Sequence, residues 1–418
     1  MSHLIESIRL ALKKAMLLEY GDDGKVAAYI RCPLRIPASW LYGFFYATQP
    51  IVPNKIVFDN YMGKGFGCNP KYVAEKLMEK YPGQFDIVWV LSKKDAKTAV
   101  FPEGIRTAPY NTPESRREYA TAKVWVSNYH KISYVRKGMF KKRGQYFIQM
   151  WHGSLGIKKI ENDAAVLTKD NDWLRLARKS SRMVDYWISN SKFESDVYRS
   201  AFWDVKNVLE YGHPRDDCLV IPSGEQRKLV GEFFSLSPEQ KICFYAPTFR
   251  EDYSLDCYQI DFEALKVSLE KRFGGDWVIL VRLHPRMRKY SSKVMPDVPY
   301  VLNATYYTDI QDLVAAADCM ITDYSSCLFD FVLTRRPGFI FATDVEAYNQ
   351  ERGFYYPLES TPFPIATNNE ELMKNVEQFD EEQYQDKVQQ FLIDRGCMED
   401  GHASERVADL IAKLVKEH

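Results

Sequence analysis

The sequence predicts an α/β protein made of two doubly wound parallel sheets that face each other across a central cleft. Three observations carry that expectation. The chain has 418 residues, too many for one ordinary core and suited to two. From residue 55 short apolar runs alternate with helical patterns, as in a mainly parallel sheet covered by helices on both faces. The same alternation begins again near residue 238.

In order, KIVFDN (55–60) and FDIVWVLS (85–92) read as buried strands. Between them NPKYVAEKLMEKY (69–81) reads as a helix, with Pro70 and Lys71 at its start. KVWVSN (123–128) and QYFIQMWH (145–152) continue the strands, followed by a long helical stretch over 163–184. DYWISNS (185–191), the helix KFESDVYRSAF (192–202) and KNVLEYG (206–212) complete the first series. Residues 223–240 read as a linker and helix. KICFYAP (241–247), WVILVRLH (277–284), YVLNAT (300–305), CMITD (319–323) and PGFIFAT (337–343) form the second series, and 368–418 reads as helices. The expected division is 1–54, 55–225 and 226–418.

Composition excludes several classes. Lysine plus arginine and aspartate plus glutamate both number 56, so no net field points to nucleic acid. No run reaches the ~20 apolar residues of a membrane-spanning helix. The eight cysteines form no CxxC pair and several lie in apolar runs, which suits reduced core residues and no zinc site. The stretch 5–18 has an apolar face beside Arg9, Lys13 and Lys14, and 39–52 is rich in aromatics. Both suit a membrane surface, or packing on the protein's own core.

Ligands in such sheets bind beyond the carboxyl ends of strands, so polar motifs directly after strands carry the weight. TDYSSCLFDF (322–331) is one: Ser325 or Ser326 would start a helix and offer an anion site, with Asp323 orienting its neighbours. Plain helix capping is the structural alternative. RLHP (282–285) supplies Arg282 as a fixed cation and His284 as a proton shuttle or donor. MWHGSLGIKK (150–159) supplies His152, then Gly153 for close backbone approach, then Lys158 and Lys159. APTFRED (246–252) adds Thr248 and Arg250, and the turn with His213 and Arg215 could serve only as a hinge. Two histidines, several arginines and a serine-rich helix start at one cleft suit transfer of a phosphate-bearing group. Neither a P-loop, an HExxH nor a GxSxG motif is present.

The ordered set WHGS, SNSKFESDVYRSAF, LEYGHPRDD, YAPTFRED, RLHP, ITDYSSCLFDF…RRP and D-x-x-x-Y…RGFY, with CNPKYVAEKLMEKYP (68–82) before it, resembles the CDP-glycerol glycerophosphotransferases of teichoic acid and capsule synthesis. The resemblance runs collinearly over roughly residues 55 to 365. It implies a GT-B-like pair of Rossmann-like domains, the first (55–225) for the acceptor and the second (226–418) for a CDP-glycerol donor. It implies transfer of glycerol phosphate to a polyprenyl-linked acceptor, with release of CMP. It implies a peripheral enzyme at the cytoplasmic face of a bacterial membrane, with 1–54 as the membrane-associating segment. By the same resemblance, His152 is the general base and His284 acts on the donor phosphates. Thr322, Asp323, Ser325 and Ser326 bind the diphosphate, assisted by Arg215, Thr248, Arg250, Arg282 and Arg352; Gly153, Ser154 and Lys158 lie on the acceptor side. No cofactor or protein-bound metal is demanded, and magnesium is compatible. Many members read WHGT-Pro-Leu where this chain has WHGSLGIKK, and His213 falls at a variable position, so it receives no catalytic role. A CDP-ribitol donor, a nucleotide-sugar glycosyltransferase and a non-catalytic binding protein are the competing readings.

Overall fold

The computed structural model describes residues 43–417 except 168–170 and 251–252; the side chains of 165–167, 171, 351 and 352 also lie outside the described set. The stretch 5–18 and residues 39–42 therefore fall outside it. Of the aromatic segment, 43–47 is helical, with Phe44 and Phe45 exposed and Tyr46 buried.

The first unit is a seven-stranded sheet of β1 (Val52–Asp59), β2 (Asp86–Leu91), β3 (Ile105–Pro109), β4 (Ala122–Ser127), β5 (Tyr146–Gln149), β6 (Tyr186–Ser189) and β7 (Asn207–Glu210). Its order is β3-β2-β1-β4-β5-β6-β7, and every pairing is parallel. The second is a six-stranded sheet of β8 (Lys241–Tyr245), β9 (Trp277–Val281), β10 (Val301–Asn303), β11 (Cys319–Thr322), β12 (Gly338–Phe341) and β13 (Ile365–Ala366). Its order, β10-β9-β8-β11-β12-β13, is again all parallel. Both sheets thus reverse direction of winding once, between β1 and β4 and between β8 and β11. Such a reversal opens a crevice beyond the strand ends.

The apolar runs are strands because both faces are covered: every residue of β4 and of β9 is buried. Two strands escape the sequence reading, β3 and β13, and both are short edges with little apolar signal. The helix after β3 (Pro113–Thr121) did carry a signal: Thr112 and Ser115 form a capping box and Pro113 occupies the first turn. The expected long helix over 163–184 is instead a 3₁₀ segment (Glu161–Leu167) and a helix (Asn171–Ser181).

One further expectation is corrected. The terminal helices do not all stay with the second sheet. The helix Ala403–Lys416 buries Val407, Ala408, Ile411 and Leu414 under the first sheet, in one core with Ile56, Val124 and Ile148. The chain therefore crosses between the units twice, once after β7 and once before this helix. All seven described cysteines are free thiols.

Candidate active site

His152 stands just beyond β5, half-buried among Tyr61, Tyr129 and Trp151, with ring centroids 4.8, 5.4 and 4.3 Å away. Its Nδ1 lies 2.9 Å from the carbonyl oxygen of Asn128. A carbonyl only accepts, so Nδ1 carries the hydrogen and Nε2 of the neutral ring presents a lone pair. Asn128 follows β4 and is itself held: its amide donates to Asn60 Oδ1 at 2.7 Å and its Oδ1 accepts from Tyr61 N at 2.9 Å. Burial, opposed by the Asn128 bond and aided by Arg215, pushes the imidazole down to about 3. The ring is neutral at pH 7.

His284 follows β9 and opens the 3₁₀ turn Pro285–Tyr290. Its Nδ1 accepts from Arg286 N at 3.3 Å, so the hydrogen of the neutral ring sits on Nε2. Burial, then Arg286, Lys64 and Lys158, push it down to about 4. The two histidines are thus set in opposite tautomers by backbone contacts alone. Lys158 lowers the affinity of both rings for a proton, so both feel one ammonium.

A cleft of about 410 Å³ opens beside His284, lined among others by Lys158, Thr248, Arg282, Ser325 and Tyr348. Arg282 donates through Nη1 to the carbonyls of Ala304 and Tyr307, at 3.1 and 2.6 Å. It has no carboxylate partner among the described residues, and burial lowers its pKa. Thr248 Oγ1 is buried without a hydrogen-bond partner. These are the features of a site that a dianion would complete.

His152 is not in the lining of this cleft; the loop that follows it is. Leu155 and Ile157 enter the core of the second unit, and Lys158 pairs antiparallel with Phe354. Tyr355 N donates to Ile157 O at 2.7 Å, and the Tyr356 hydroxyl donates to Leu155 O. A Cβ on Gly156 would stand 3.3 Å from Ser326 Cβ. The WHG loop of the first unit is therefore pressed onto the serine pair of the second.

Several predicted residues hold the site rather than face it. Thr322 is fully buried and its hydroxyl donates to Ala246 O at 2.5 Å, so it is spent. Asp323 accepts from Thr248 N, Tyr324 N and Arg250 Nη2, which orients the segment. Arg250, expected on phosphate, is held by Asp323 and bidentately by Asp344, and lies over the rings of Tyr324 and Tyr348. Arg215 is likewise no phosphate ligand: it is buried, bidentate to Asp330 at 2.9 Å, and donates to Gly153 O at 2.6 Å. Ser154, expected on the acceptor side, is buried and accepts from the Asn190 amide at 2.8 Å. Gly153 contributes its carbonyl to the Arg215 clasp. Ser325 and Ser326 stay half-buried, and Ser326 does not cap the helix Cys327–Phe331. Arg352 ends the helix Val345–Arg352, and its side chain lies outside the described set.

Sequence reasoning missed Asn128, Asn69 and Asp330. Asn128 directly follows a strand, the criterion that found the others. Asn69 donates to the carbonyls of Met150 and Trp151 and accepts from Arg215 N, a role with no local signal. Asp330 looks like an ordinary residue of an apolar helix.

Comparison with known proteins gives consistent results. A family model described as CDP-Glycerol:Poly(glycerophosphate) glycerophosphotransferase matches residues 41–413. A teichoic acid poly(glycerol phosphate) polymerase of Staphylococcus epidermidis is 33% identical over 392 residues, 90% of this chain and 53% of that protein. A teichoic acid ribitol-phosphate primase of Bacillus spizizenii is 30% identical over 90% of this chain and 95% of its own length. The solved structure of the wall teichoic acid polymerase TagF superposes with a TM-score of 0.77 at 30% identity, covering 94% of this chain and 99% of that one. The chain spans about half the length of the Staphylococcus epidermidis polymerase and of a Bacillus subtilis one.

Proposed function

The chain belongs to the CDP-glycerol:poly(glycerophosphate) glycerophosphotransferase family, and on that premise we propose that it transfers glycerol phosphate from CDP-glycerol to a hydroxyl of a polyprenyl-linked glycolipid or growing polyol-phosphate chain. The observation that carries the reading is the opposed pair of tautomers. Nε2 of His152 can accept a proton and Nε2 of His284 can donate a hydrogen bond.

The acceptor oxygen attacks the β-phosphorus of the donor, its proton passes to His152 Nε2, and the bond to the α-phosphate oxygen breaks to release CMP. His284 Nε2–H steadies the oxygen that leaves. Arg282, Thr248, Ser325 and Ser326 bind the diphosphate. Phosphoryl transfer draws mostly on positioning and charge stabilisation, so a weak base suffices. The donor's own negative charge raises the His152 pKa on binding. This reading needs no cofactor, and magnesium is compatible with it.

No helix among the described residues is long and apolar enough to cross a membrane. Exposed Phe44 and Phe45 support a peripheral position on the cytoplasmic face of the membrane, next to a lipid-borne acceptor.

The ribitol-phosphate primase is nearly as similar as the glycerol-phosphate polymerase, which makes donor choice the decisive experiment. Purified protein with detergent and a lipid-linked glycerol-phosphate acceptor should release CMP from CDP-glycerol in an acceptor-dependent way. Release only from CDP-ribitol would keep the mechanism and change the polymer. Binding of neither donor would discard the reading.

A further inference from the structure

Behind the Arg215 clasp lies a polar cluster that the transfer does not use. His213, Asp216 and Glu399 each aim one ligand atom into the same space, all within 4.8 Å of one another. His213 and Asp216 are 0% exposed. On the far side of the imidazole, Glu194 Oε2 is 2.8 Å from His213 Nε2, while Asp216 Oδ2 is 3.7 Å from Nδ1. His213 has no well-aligned hydrogen bond at either ring nitrogen, and neither Asp216 Oδ2 nor Glu399 Oε2 has a hydrogen-bond partner.

Orphaned atoms of this kind are rare in a protein interior. Charge makes them rarer. Glu194, Asp216, Glu399 and the adjoining Asp330 stand against one paired cation among the described residues, Arg215, which Asp330 already engages. Protons or a cation must supply the balance. The three ligand atoms lie within 4.8 Å of one another with no hydrogen bond between them, a spacing that a shared cation would bridge. The histidine also has the posture of a metal ligand, one nitrogen toward the space and the other toward a carboxylate. Gly212 permits the approach: a Cβ there would lie 2.7 Å from Glu399 Oε2.

We infer that His213 Nδ1, Asp216 Oδ2 and Glu399 Oε2 bind one divalent transition cation of the Zn²⁺ or Mn²⁺ class, with Glu194 orienting the histidine from behind. One imidazole with two carboxylates suits those ions, and magnesium or calcium would prefer an all-oxygen set. The placement gives the ion its role. His213 and Asp216 lie on the first crossing between the units and Glu399 on the second, so the cation fastens both crossings together. It also steadies Arg215, which holds the WHG loop at Gly153. No step of the transfer runs through it.

The test uses the full chain, stripped with chelator, reloaded with Zn²⁺ or Mn²⁺, dialysed, and assayed by elemental analysis and thermal unfolding. About one equivalent of cation should remain per chain. The reloaded form should melt at least about 2 °C above the stripped form. Glu194→Gln should weaken cation affinity by about 10- to 100-fold. His213→Ala and Asp216→Asn should each abolish retention. Asp216→Asn removes a buried like charge, so its stripped form should melt at or above the stripped wild type, which shows that it folds. Absence of both retention and thermal response in the wild type would overturn the inference, as would undiminished retention in these two variants.

Discussion

A histidine that takes a proton and one that gives a hydrogen bond share the same ring; they differ in which nitrogen the backbone occupies. Asn128 O fixes His152 and Arg286 N fixes His284, and neither partner is a side chain that titrates. His152→Ala and His284→Ala should each lower kcat by about 100-fold or more, with the donor-binding constant of His152→Ala near that of the wild type. Initial rates of CMP release measure both. The pH dependence follows from burial. The folded His152 ring titrates near 3 against 6.5 for a free one, so between these values the unfolded chain holds more protons. Its contribution to stability is present above pH 6.5 and is lost as the pH falls towards 3. Correspondingly, the acidic limb of kcat/KM should fall below pH 6.5, and an inflection at 6.5 would show a solvated ring. The arginines divide in the same manner. Arg215→Ala strands Asp330 and should cost about 3–5 kcal/mol of stability, read by denaturant unfolding. Arg282→Ala, which breaks no ion pair, should fold normally and raise the KM for the donor.

At the scale of elements, the segment from His152 to Lys159 matters most. It leaves the first sheet, buries Leu155 and Ile157 in the second core, and ends in an antiparallel bridge to Phe354. Each buried aliphatic side chain stabilises that docking by about 1.5–3 kcal/mol. His152 and the cleft beside His284 are therefore held in register by one loop. Gly156 is its tightest point, against Ser326. Gly156→Ala should push the two apart and raise the donor KM by up to about 100-fold, while unfolding changes little. Steady-state kinetics at varied CDP-glycerol would show it, and an unchanged KM would mean that the serine pair does not bind donor.

For the whole molecule, two separate sheets are tied by two crossings and by polar struts such as Lys71–Asp309 and Arg215–Asp330. The last helix completes the first core from the far end of the chain. Ile411→Ala should therefore destabilise the first unit by about 2–5 kcal/mol despite its position in sequence. Hydrogen exchange would locate the loss in β1, β4 and β5, and a loss confined to the second sheet would contradict the packing.

Most of the architecture was legible because parallel strands buried on both faces must be continuous apolar runs, as KVWVS and WVILV are. β3 and β13 were not, since an edge strand needs few apolar residues. Of the candidate site, one rule, that polar residues directly after strands lie near the crevice, picks out His284, Arg282, Thr248 and Ser325, which line the cleft, and also His152 and Ser326, which do not. That rule does not decide which residues face a ligand and which hold the wall. Thr322, Ser154, Arg215 and Arg250 have the right chemistry, but their donors or acceptors are taken by partners up to 115 residues away. The sequence by itself determined the residue types, their order along the strands and the family. Only the tertiary structure decided their surroundings, because a tautomer, an ion-pair partner and a buried orphan each depend on atoms brought together by the fold.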